Sequence, residues 1–144
     1  MSDVDIEAWA DALIARHPTV DVNGHELIAI SHPTPIETPG IRPMRSQRHP
    51  VDRLRRYTPP TELLALGLVC GGWVAPIDTN VRPSAHPDAR RIVQVVVMDR
   101  TGSQTARVRY PDGTVQPMGG GGVGRVPEAL RAALRRSGRR RTAA

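Results

Sequence analysis

Residues 92–98 read Ile-Val-Gln-Val-Val-Val-Met, and no other run constrains the fold of this chain as strongly. Val93, Val95 and Val97 alternate with Ile92, Gln94, Val96 and Met98, so Arg91–Asp99 is predicted to be a strand apolar on both faces, seated in the middle of a sheet. Leu68–Ala75 and Gln104–Tyr110 are its predicted neighbours, the second joined to it by a turn containing Thr101-Gly102. Pro111-Asp112-Gly113 is a turn signal and leads to a short fourth strand near Thr114–Gln116. The pattern is an antiparallel meander of three or four strands. In Gln104–Tyr110, Ala106, Val108 and Tyr110 alternate with Thr105, Arg107 and Arg109, which predicts one solvated face carrying arginines.

Helical periodicity flanks the meander. Asp3–Arg16 is predicted as an acidic helix with Ser2 or Asp3 as N-cap and His17-Pro18 as its stop. Ile6, Trp9, Ala10, Leu13 and Ile14 share one face of it. Trp9, in register with that stripe, is expected to pack on the chain's own sheet; the alternative is docking of this helix on a protein partner, as in a subunit of a larger assembly. Val126–Arg136 is predicted as a basic amphipathic helix, with Val126, Ala129, Leu130, Ala133 and Leu134 on one face and Gly138 past its end. Residues 18–60 hold eight prolines and read as a covering segment, with a short strand at Glu26–Ser31 and a helical turn near Val51–Arg56. Thr61 or Pro60 opens a further short helix through Leu66 in this reading. The expected class is therefore α+β: one domain over residues 1–136, then a disordered basic tail at 137–144.

The chain's 20 basic residues are all arginine, and lysine is absent. Lysine codons are AT-rich and most arginine codons GC-rich, so a GC-rich genome would produce such a skew without any function behind it. In either case its chemistry excludes lysine Schiff bases and the P-loop lysine. Charge is unevenly spread. Residues 1–40 carry seven acids against Arg16, whereas residues 101–144 carry nine arginines against Asp112 and Glu128. This asymmetry points to an anionic partner for the basic parts, unless the acidic segment folds back and neutralises them. Cys70 is the only cysteine, which excludes an internal disulfide. With an acidic N-terminus unlike a secretory signal, it gives a cytoplasmic protein as the expectation. Leu63–Ile77 is too short and too rich in glycine to span a membrane, so no membrane association is expected.

Arginine forks match phosphate geometry. The leading expectation is accordingly a small non-catalytic interaction or regulatory protein that meets nucleic acid or another polyanion. The residues named for this are Arg53, Arg55 and Arg56 near Tyr57, Arg107 and Arg109 on the strand, and Arg135, Arg136, Arg139, Arg140 and Arg141 at the C-terminus. The rival is a small hydrolase or transferase using the Ile77–Arg90 loop. There His86 is the candidate acid or base beside Asp88 and Asp78, and Arg82 or Arg91 would hold an anionic substrate. Gly119, Gly121 and Gly124 satisfy G-x-G-x-x-G, but four consecutive glycines do so trivially, and a linker is the preferred reading. Four histidines precede proline and none has metal-ligand spacing, so neither metal nor cofactor is expected. Cys70 is read as a small buried hydrophobe, reactive only if a base such as His86 lies beside it.

Overall fold

The computed structural model describes residues 4–20, 24–35, 44–46, 50–58, 63–75, 85, 87–117 and 125–143, of which 44–46, 50, 125 and 137–143 are described by their backbone alone. Its elements are α1 (Ile6–Ala15), β1 (His25–Ile30), β2 (Met44–Ser46), α2 (Pro50–Arg56), β3 (Ala65–Val74), β4 (Arg90–Asp99), β5 (Gln104–Arg109), β6 (Val115–Pro117) and α3 (Arg125–Ala143). The fold is α+β. The sheet is antiparallel, in the order β2-β1-β3-β4-β5-β6. The expected meander is its β3-to-β6 half, and the strand expected at Glu26–Ser31 is β1. The correction is that β1 joins the same sheet beside β3 and that β2, which was not expected, pairs on its outer edge. A second correction concerns the short helix expected to run through Leu66. Ala65 and Leu66 instead open β3, where they pair with Asp99 and Met98 of β4; Pro60 and Thr61 lie outside the described residues.

β4 has its ten residues paired with β3, and it is apolar on both faces because both are covered. Val93, Val95 and Val97 pack under Trp9, Leu13 and Ile14 of α1. Val96 and Met98 pack on the other side with Leu54 of α2 and Leu130, Ala133 and Leu134 of α3. The result is three layers, with α1 on one face of the sheet and α2 and α3 together on the other. Gly67 permits the close approach of α1: a Cβ there would lie 3.0 Å from the Leu13 side chain.

Helix ends follow local chemistry. Asp5, not Ser2 or Asp3, caps α1, accepting from the Ala8 amide at 3.0 Å; Ser2 and Asp3 lie outside the described residues. Trp9 is 1% exposed, and its indole Nε1–H donates to the His32 carbonyl at 3.0 Å. The apolar face of this helix is thus covered by the chain's own sheet, and Trp9 is not open to a partner. α3 does not stop at Arg136 but continues through Gly138 to Ala143. An interior glycine costs about 1 kcal/mol relative to alanine, while arginines in the last turns interact favourably with the negative end of the helix dipole. Among the described residues no helix is long and apolar enough to cross a membrane.

Two turns need glycine. Gly102 (φ +89°) and Gly113 (φ +90°) occupy the left-handed region in the β4–β5 and β5–β6 connections. In the first, the buried Asp99 carboxylate accepts from Thr101 N, Thr101 Oγ1 and Ser103 N at 2.9, 2.6 and 3.1 Å. In the second, Asp112 accepts from Thr114 N at 2.9 Å. Truncating the largest buried side chain of α1 tests the layer assignment: Trp9→Ala is expected to cost about 3–5 kcal/mol, read as a lower urea midpoint at unchanged slope. An unchanged midpoint would mean that α1 is not core.

Candidate anion-binding face

The arginines divide into two groups once the layers are in place. Arg107 and Arg109 alternate with Ala106 and Val108 on β5, and their side of the sheet is the one α1 covers. The expected solvated arginine face is therefore corrected. Arg107 donates Nε–H to Asp11 at 2.9 Å, pairs with Glu7, and donates to Thr105 Oγ1 at 2.8 Å and the Ala106 carbonyl at 3.0 Å. Arg109 donates to the Gly113 carbonyl at 2.8 Å and the Ile14 carbonyl at 3.3 Å, the latter at the C-terminal end of α1. These contacts orient α1. Because Glu7 and Asp11 are mostly exposed, each ion pair contributes only about 0.2–1 kcal/mol. Burial of Trp9, Leu13 and Ile14, at about 1.5–3 kcal/mol for each such side chain, is what holds α1 down.

Arg136 is also committed internally. Its guanidinium donates to the Leu54 and Tyr57 carbonyls, the latter at 2.7 and 3.1 Å, and so caps the C-terminal end of α2. Its neighbour Arg135 points outward. Arg136 thereby joins two arginine segments far apart in sequence into one helical layer. Exposed there are Arg55 and Arg56 from α2 and Arg131 and Arg135 from α3, with Arg53 half-buried beside them. Only Asp52 and Glu128 oppose them in these two helices. The backbone of α3 carries Arg139, Arg140 and Arg141 onward from this layer; their side chains are outside what is described.

The acids sit elsewhere. Asp5, Glu7 and Asp11 belong to α1 and its cap, across the sheet. Packed layers lie about 10 Å apart, so the two helical layers are separated by roughly 20 Å, about twice the screening length in physiological salt. Among the described residues, fold-back neutralisation by α1 therefore acts on Arg107 and not on the α2–α3 layer.

At the other end of the sheet, Val74, Ala75, Asp88, Ala89, Arg90 and Tyr110 line an open hollow of about 710 Å³. Asp88 is exposed at its rim, whereas Asp78, Arg82 and His86 lie outside the described residues. Nearby, Trp73 is 45% exposed and Arg91 stacks 5.8 Å from its ring centroid; the sequence drew no attention to this pair, whose signal is the cross-strand register of β3 and β4. Cys70 pairs in register with the buried His25 of β1. Burial pushes its thiol up to about 11, so it remains a thiol, as expected of a small hydrophobe. Gly119–Gly124 lie outside the described residues. Among the described residues no group of three or more His, Cys, Asp or Glu is placed to hold a metal ion.

Comparison with known proteins finds no matching family, no similar curated protein and no similar solved structure.

Two measurements follow. The Arg107 guanidinium, and after it the Thr105 hydroxyl, hold the Glu7 carboxyl below the usual glutamate range. Its contribution is then complete above the unfolded-state value near 4.5 and disappears as pH falls through the lower folded value. The melting-temperature gap between wild type and Glu7→Gln is expected to be small at pH 7 and to close as pH falls below 4.5 through the lower folded value. For Cys70, folded protein at pH 8 is expected to react with Ellman's reagent about a thousandfold more slowly than a fully ionised thiolate would. Reaction at the rate of the urea-unfolded chain would contradict the burial.

Proposed function

We propose that this is a non-catalytic polyanion-binding protein whose partner is nucleic acid and whose binding surface is the α2–α3 layer. The observation that carries this reading is the Arg136 clamp, which brings Arg55 and Arg56 onto the same layer as Arg131 and Arg135. Arg131, Arg135 and Arg139 follow one another at i,i+4 along α3, an arrangement in which each like-charge pair costs an isolated helix about 0.2–0.5 kcal/mol. Phosphates laid along the helix offset that repulsion and match the guanidinium forks. Sequence-independent contact to the backbone is the mode that such a surface supports. A single free cysteine suits the reducing cytoplasm as the place of action.

The test is fluorescence anisotropy with labelled duplex DNA, single-stranded DNA and RNA across a salt series. Arg55→Gln, Arg56→Gln, Arg131→Gln and Arg135→Gln combined are compared with wild type; deleting residues from 135 onward is unsuitable, because it removes the Arg136 clamp. For duplex DNA, every phosphate that an arginine no longer neutralises flattens the slope of log affinity against log salt by about 0.9. The fourfold variant is expected to bind at least tenfold more weakly with a visibly flatter slope, and Arg107→Gln to bind as wild type. Equal affinity and slope in wild type and the fourfold variant would refute the surface.

A further inference from the structure

The β4–β5 turn and the middle of α3 enclose a cleft of about 430 Å³. Asp99, Arg100, Thr101 and Gly102 form one wall and Arg131, Leu134 and Arg135 the other. The turn side is rigidly built. Arg100 donates to the Leu63 carbonyl and, at 3.3 Å, to the Leu134 carbonyl, tying β4 to α3. Asp99 is 3% exposed, and one of its oxygens takes the three hydrogen bonds of its own turn. Its carboxylate is thus engaged from the turn side.

The helix side differs. Arg131 and Arg135 stand exposed one turn apart, and among the described residues their guanidiniums form no hydrogen bond or ion pair. Arg131 lies against the turn, since a Cβ built on Gly102 would be 3.8 Å from its Nε. Two guanidiniums therefore share a cleft with a positive-φ turn and the Thr101 hydroxyl, while a third, Arg100, is fixed in the wall.

We propose that this cleft is a discrete site for a phosphate monoester. Two arginine forks can each present paired N–H donors to one tetrahedral dianion, giving up to about four charge-assisted hydrogen bonds. The bound dianion also relieves the i,i+4 repulsion between Arg131 and Arg135. Small-molecule sites run from about 300 to 1,000 Å³, so the cleft has room for the phosphate and part of the group that carries it. The inference rests on the α2–α3 layer being open to anions, but it requires a saturable site, which a surface tracking a polymer backbone does not.

The experiment is an amide and arginine Nε–H NMR titration with inorganic phosphate, chloride being withdrawn to hold ionic strength constant. The expected result is saturable shifts confined to Thr101–Gln104 and to the side chains of Arg131 and Arg135. Arg131→Gln and Arg135→Gln are each expected to weaken that binding at least tenfold, whereas Arg55→Gln with Arg56→Gln should leave it unchanged. Parallel titrations with a nucleoside 5′-monophosphate, a sugar phosphate, and 5′-phosphorylated or 5′-hydroxyl oligonucleotides identify the source of the monoester. Saturable phosphate binding without nucleic-acid affinity would sustain the cleft and sink the polymer reading. Nucleic-acid binding with linear, unsaturated phosphate shifts spread evenly over α2 and α3 would do the reverse.

Discussion

The structure depends on β4 being buried on both faces. A single strand with valines on one side and Val96 and Met98 on the other cannot be stabilised by one helical layer, so the chain supplies two. Once two layers exist, charge can be sorted between them. Glu7 and Asp11 of α1 meet Arg107 of β5 at the edge of one layer, and the arginines of α2 and α3 remain in the other, whose two helices carry only the acids Asp52 and Glu128. Hydrophobic burial sets this arrangement. The ion pairs are individually too weak to dictate it, although they fix where α1 lies across the sheet.

Adjacent arginines serve different ends here. Arg135 and Arg136 differ by one step of about 100° around the same helix, and that rotation separates a solvent-facing guanidinium from one that caps α2. Arg100 works in the same manner as Arg136. Its donors end on carbonyls of a loop and a helix, so the β4–β5 turn, α3 and the entry to β3 are tied to one another. The candidate cleft inherits its rigidity from these backbone contacts, and its chemistry from the two arginines that make none.

Much of the fold was legible in the sequence. Alternation located β4 and β5, and the Pro111-Asp112-Gly113 turn signal located β6, each within a residue or two, and helical periodicity picked out Trp9, Leu13, Leu130 and Leu134 as core. β1 was visible as an apolar run but its place beside β3 was not, because pairing across such a separation leaves no local mark. β2 has three residues and no pattern at all. Arg107 and Arg109 looked solvated because they alternate with apolar residues. Their covering partners lie near the opposite terminus, at sequence separations of 96 between Arg107 and Asp11 and 95 between Arg109 and Ile14. The complementary signs of the two terminal segments were the available hint, and among the described residues it is realised at Arg107 of β5. For the candidate site, arginine count was readable, but the pairing of α2 with α3 was not.

Among the described residues, carboxylates on the outer surface of α1 and guanidiniums on the outer surface of α2 and α3 set up a charge separation directed through the thickness of the molecule's sheet. Near a polyanion such an object experiences a torque before it makes contact, and it arrives with one side leading. What then faces outward is the acidic helix. If the proposed face binds a polyanion, the side left toward solution carries Asp5, Glu7 and Asp11, which disfavours bridging to a second polyanion.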